Sequence, residues 1–163
     1  MIDRTLKTKD AILGCFKNED DKAKAELFFS FAEKEDLDEK FRMTAKYYSY
    51  SFSPKGSPRA LFKMDLNDIT VRIKAQLFFI GGHNEDLECL SESLKNMIKA
   101  TPSCTRCSMQ CKQGIEFKLD GEEYFTCINE GHYFKDMTME ECLELIELLK
   151  KENSFIRKMK ANQ

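Results

Sequence analysis

No stretch of this chain is apolar enough to cross a bilayer. A spanning helix needs about 18 continuous apolar residues. The longest run, residues 75–82 (AQLFFIGG), has the length of a strand and is interrupted by Gln76. The opening MIDRTLKTKDAILGCF has no continuous apolar segment, so no secretory signal is expected. No sign of charge prevails either. Lys and Arg number 26 against 28 Asp and Glu, a net charge of −2, and the two signs are interspersed throughout. That pattern argues against a surface dedicated to nucleic acid or to an anionic membrane. Also missing are G-x-S-x-G, H-E-x-x-H, G-x-G-x-x-G and the P-loop, so no catalytic set is recognisable. No internal repeat occurs at solenoid periods.

What is present is enough for one globular domain, or one with a small appendage. The chain has 163 residues, 42% hydrophobic and 33% charged, a composition that folds without disulfides. Its seven cysteines are an odd number. Free thiols and a metal site fit that better than a disulfide scaffold, and the expected location is the cytoplasm.

Four of the cysteines carry the strongest signal. Cys104, Cys107 and Cys111 form C-x2-C-x3-C, and Cys127 follows a hairpin signal, Asp120-Gly121. A hairpin returns its end to its beginning, so Cys127 is expected near Cys111. Four thiolates at that spacing suit a closed, structural zinc site, with Arg106 and Lys112 near enough in sequence to offset its charge. Such a site would rivet residues 104–127 into a knuckle. The competing readings are free cysteines, an iron–sulfur cluster, or thiol redox chemistry at Cys104, Cys107 or Cys111. The redox pair would follow a helix and precede a strand, the reverse of a thioredoxin-like context. His132 is a substitute ligand, though a surface or loop histidine is the plainer reading.

The rest of the pattern is α+β. Residues 1–44 read as a helical N-terminal extension. Ala11, Ile12, Cys15 and Phe16 make one amphipathic turn. Asn18 to Asp21 starts a helix bearing Leu27, Phe28, Phe31 and Ala32, with Phe29 widening its apolar face, and a third short helix is expected over 37–43. Residues 45–163 read as the α+β domain. Strands are expected over 47–52, 59–64 and 69–79, from alternations such as Tyr48, Tyr50, Phe52 against Ser49, Ser51, Ser53. Asn84 is expected to cap a helix carrying Leu87, Leu90, Leu94, Met97 and Ile98, which Pro102 stops. In the hairpin, Phe117 should face Tyr124 and Lys118 should face Glu123. Thr138 and Glu141 form a capping box before a helix that buries Cys142, Leu145, Ile146 and Leu149. The expected architecture is an antiparallel sheet of about five or six strands packed on helices.

Candidate ligand-binding residues are Tyr47, Tyr48 and Tyr50, as an aromatic wall, and His83, which follows Gly81-Gly82 and precedes a helix. Each has a plainer reading, as core aromatics and a sharp turn. Tyr47 alone points to the opposite face from the other two.

The C-terminal segments CTRCSMQC, GIEFKLDGEEYFTC, GHYFKD and MTMEECLELIELLKKE resemble a group of small uncharacterised bacterial proteins of the YdhG-like kind. The resemblance covers about residues 66–152. It implies an antiparallel sheet covered by helices and matches the four knuckle cysteines, but implies no activity. The expected function is a non-enzymatic binding module with structural zinc, taking a small molecule or a partner protein in a groove between sheet and helices. A thiol redox protein is the alternative. Nucleic acid and membrane are not expected as partners.

Overall fold

A computed structural model describes residues 3, 5–101, 114–127 and 131–161. Its first helices follow from local caps. Helix α1 (Lys9–Leu13) starts where the Thr8 hydroxyl accepts from the Ala11 N–H. Helix α2 (Glu19–Lys34) starts where Asn18 Oδ1 accepts from the Asp20 N–H at 2.9 Å, with three acids in its first turn. It buries Ala25, Phe28, Phe29, Phe31 and Ala32.

The chain then turns through Asp36, at φ 51, into strand β1 (Leu37–Met43). The third short helix expected there is a strand. Its residues are exposed or half-buried throughout, so it carries no amphipathic alternation. Pairing with the next strand decides its conformation, not a buried face of its own. Strands β2 (Tyr48–Pro54), β3 (Phe62–Leu66) and β4 (Val71–Ala75) continue an antiparallel meander. The turn from β2 to β3 closes with the Ser57 N–H on the Pro54 carbonyl, and Gly56 takes φ 66, a conformation suited to glycine.

Residues 76–83 form no further strand. They make turns and a short 3-10 segment, Ile80–Gly82. The single helix expected after Asn84 is two, α3 (Asn84–Glu88) and α4 (Glu92–Lys99). Asn84 is not the cap of α3; its side-chain oxygen accepts from the Lys118 N–H at 3.0 Å and ties the hairpin to this helix.

The hairpin of β5 (Gly114–Leu119) and β6 (Glu122–Cys127) turns at Asp120 and Gly121, both at positive φ. Phe117 stacks on Tyr124 at 5.4 Å, and Lys118 reaches Glu123 at 3.3 Å on the other face. Lys95 and Lys99 of α4 grip the Asp120 carboxylate and hold it down to about 2, the Lys95 hydrogen bond being the larger cause. The hairpin is a separate two-stranded sheet. The strand that completes the main sheet is β7 (His132–Lys135), which pairs with β4 and gives the order β1-β2-β3-β4-β7.

Helix α5 (Met139–Ala161) opens with the capping box, Glu141 N–H to Thr138 Oγ1 and Thr138 N–H to Glu141 Oε2. It buries Cys142, Leu145, Ile146 and Leu149 as its spacing predicts. One core runs from Ile12 to Ile156 and takes side chains from helices, sheet and hairpin alike. Among the described residues, no helix is long and apolar enough to cross a membrane.

Candidate functional site

The stripe of α5 that packs inward does not stop at Leu149. At helical spacing it continues through Glu152, Asn153 and Ile156. Glu152 and Asn153 are thereby carried into the interior, both 0% exposed. A buried carboxylate needs donors, and the segment after β4 supplies them. The Phe79 N–H donates to Glu152 Oε1 at 3.1 Å, and His83 Nε2 lies 2.9 Å from Oε2. His83 is 1% exposed, edge-on to Phe155 at 5.2 Å, with its Nδ1 3.5 Å from Asp86 Oδ2. Lys151 holds Asp86 by a direct hydrogen bond that, as the largest cause, keeps this carboxyl below its usual range. Asn153 Nδ2 donates to Glu35 Oε2 at 2.8 Å, which ties α5 to the end of α2.

This polar cluster clamps the segment after β4 against α5, and a cleft opens on its outer side. The cleft measures about 310 Å³ and is lined by Ser57, Arg59, Phe78, Phe79, Ile156, Met159 and Lys160. Its floor is apolar. Its rim carries Arg59, whose guanidinium lies 5.1 Å over the Phe78 ring, and Lys160, whose ammonium donates to the Lys55 carbonyl at 2.9 Å. Phe79 stacks on Phe155 at 5.8 Å, so the clamp at Glu152 and His83 also orients one wall. An apolar floor between two cations suits a ligand with an apolar body and an anionic head. Among the described residues, no carboxylate lines this cleft. By contrast, the groove between α2 and β1 is lined by Glu33, Asp36 and Glu39, and the hollow beside the hairpin by Glu116 and Glu123.

The candidate residues from the sequence fall apart spatially. Tyr48 and Tyr50 are 3% and 2% exposed and belong to the core. Burial raises both phenols, that of Tyr50 to about 12. Tyr47 sits on the opposite face, half-buried, where Arg72 donates to its hydroxyl at 2.9 Å. His83 reaches the neighbourhood of the cleft but faces inward, as a strut and not as a contact residue. Its partner Glu152 was hidden within a charged run, KKEN. The signal that could have found it is its three-residue step from Leu149.

Cys104, Cys107 and Cys111 lie outside the described residues. Cys127 is 5% exposed and pairs with Gly114, three residues after Cys111, so the hairpin does return it to where that segment ends. Among the described residues, no group of three or more His, Cys, Asp or Glu could hold a metal ion. His132, expected on a surface or loop, lies in β7 at 1% exposure. The Thr101 hydroxyl lies 2.8 Å from its Nδ1, and burial pushes the imidazole down to about 4. Cys142 is equally sequestered, its thiol pushed up to about 12 by burial, which makes it inert at neutral pH.

Taken together, these features define a small α+β protein with helices over one face of an antiparallel sheet and an apolar, cation-rimmed cleft at the sheet's end. No model of a protein family, no curated protein and no solved structure matches this chain.

Proposed function

We propose that the protein is a non-enzymatic binding module that takes a small amphipathic anion, an acyl or aryl carboxylate, in the cleft between α5 and the end of the sheet. The observation that carries this reading is the pairing of the apolar floor (Phe78, Phe79, Ile156, Met159) with the Arg59 and Lys160 cations. The only histidine near the cleft, His83, is closed off from it at 1% exposure, so it cannot exchange protons with a ligand there. Calorimetric titration with dodecanoate tests the reading. The expected result is a dissociation constant below about 100 µM. The double variant Arg59→Glu, Lys160→Glu should abolish binding while the circular dichroism spectrum is kept. No heat of binding by the native protein, or equal binding by the double variant, overturns it.

The same proposal keeps a structural zinc at Cys104, Cys107, Cys111 and Cys127. Its support is the buried thiol of Cys127 opposite Gly114 together with the cysteine spacing. Zinc held there would tie the hairpin to the end of the α4 segment. Elemental analysis of purified protein should return one zinc per chain, lost in Cys127→Ser. A metal-free protein with full thermal stability sinks this part.

A further inference from the structure

The cations of this chain are interspersed along its length, yet several of them meet on one face of the sheet. Strand residues alternate between faces, and the register of the main sheet gathers one class of residue on the side away from the helices. One row across the sheet reads Arg42, Ser49, Asp65, Arg72, Lys135. The next reads Lys40, Ser51, Lys63, Lys74, Tyr133. The flanking position on β1 is Asp38, and Tyr47 stands beside Arg72 at the end of the first row. Among the described residues, six cations thus share this face with two carboxylates, in a chain whose net charge is −2. Asp65 is already engaged by the Ser49 hydroxyl at 2.5 Å. Lys40, Arg42, Lys63 and Lys135 are exposed, and among the described residues none of them is paired with a carboxylate. Tyr133 is 48% exposed, with the Lys74 ammonium 4.8 Å from its ring centre.

We propose that this open face of the sheet docks single-stranded nucleic acid. Two rows of cations with hydroxyls between them match a run of phosphates, and Tyr133 offers an exposed ring on which a base can stack. Across five strands the face is about 19 Å wide, too broad for either groove of a duplex, the wider being about 12 Å. The two rows hold no aliphatic side chain to enter a bilayer, so a membrane is the poorer fit. The surface is separate from the cleft at α5, and its test does not depend on the ligand of that cleft.

Fluorescence anisotropy with labelled twelve-nucleotide oligo-U and oligo-dT, on the full chain with its metal content measured, tests the proposal. Both single strands should bind in 50 mM salt, and the two arms decide between RNA and DNA. The affinity should fall with salt at a log–log slope of about −3, the value for about four phosphates on a single strand. Lys40→Glu with Lys63→Glu should weaken binding at least tenfold. Tyr133→Ala should weaken it about tenfold, and Tyr133→Phe should restore it. Lys118→Glu with Lys150→Glu, away from this face, should leave it unchanged. The proposal is overturned by absence of binding at 50 mM salt, or by equal loss in the control pair. Tyr133→Ala binding as the native protein does, or tighter binding to duplex or to phosphatidylserine vesicles than to single strands, also overturns it.

Discussion

The two faces of the five-stranded sheet are built by the same strands in the same register and have almost nothing else in common. On one face Phe41, Tyr50, Met64, Ile73 and Phe134 form a row, with Glu39, Phe52, Phe62, Ala75 and His132 in the next, Glu39 exposed on the edge strand. Phe52 stacks on Phe62 at 4.6 Å, and Phe31 of α2 closes over Phe62 at 5.7 Å. On the other face the corresponding rows hold serine, lysine and arginine, with one Asp65 and one Tyr133. The difference teaches where stability resides and which face is left for the proposed docking. From β2 to β7 the aromatic face is removed from water and carries the hydrophobic free energy, while Phe41 on the edge strand stays 37% exposed. The cationic face keeps Lys40, Arg42, Lys63 and Lys135 exposed to solvent.

Substitutions can break or sharpen that contrast. The largest expected effect is on the aromatic face. Phe62, 0% exposed, touches the rings of Phe28, Phe31 and Phe52, so Phe62→Ala should cost about 3–5 kcal/mol in urea denaturation. Next comes the one titratable histidine of that face. Its imidazole is pushed from 6.5 down to about 4 by burial. Between those values the unfolded chain binds the extra proton and the folded one does not. Stability is therefore full above about pH 6.5 and falls as the pH drops towards 4, by up to about 3 kcal/mol from this group. Denaturation midpoints at pH 7 and pH 4.5 should lie closer together in His132→Gln than in the native protein; an unchanged gap would refute the assignment. A smaller effect is expected at Tyr48, whose hydroxyl donates to the Asp3 carbonyl at 2.6 Å. Tyr48→Phe should lose about 1 kcal/mol, because the ring packing survives and the carbonyl can turn to water. The smallest effect belongs to the cationic face. Lys63→Ala should change stability by no more than about 0.5 kcal/mol in the same denaturation series. A larger loss would mean that this face is structural after all.

Some of this was legible in the residues and some was not, for reasons that can be named. The meander from β2 to β4 was readable because apolar and polar residues alternate where one face is buried. The hairpin was readable because Asp120-Gly121 favours the positive φ values that its turn requires. Strand β1 was not readable. As an edge strand with exposed or half-buried residues throughout, LDEKFRM takes its conformation from hydrogen bonds to β2. Strand β7 was missed because its partner β4 lies far away in the chain, and four residues give too short a pattern. The cleft was out of reach for a similar reason. Arg59, Phe78 and Lys160 belong to three different segments that no local spacing relates.

The amino-acid order by itself determined the local choices: where helices start, which way the hairpin turns, and which side of each central strand avoids water. These depend on caps, backbone preferences and side-chain period, all of which act within a few residues. Only the tertiary structure decided that Glu152 meets His83, that β7 closes the sheet, and that scattered lysines and arginines assemble on one face. Such meetings depend on strand register and helix packing between distant segments, and they are settled only when the whole core closes.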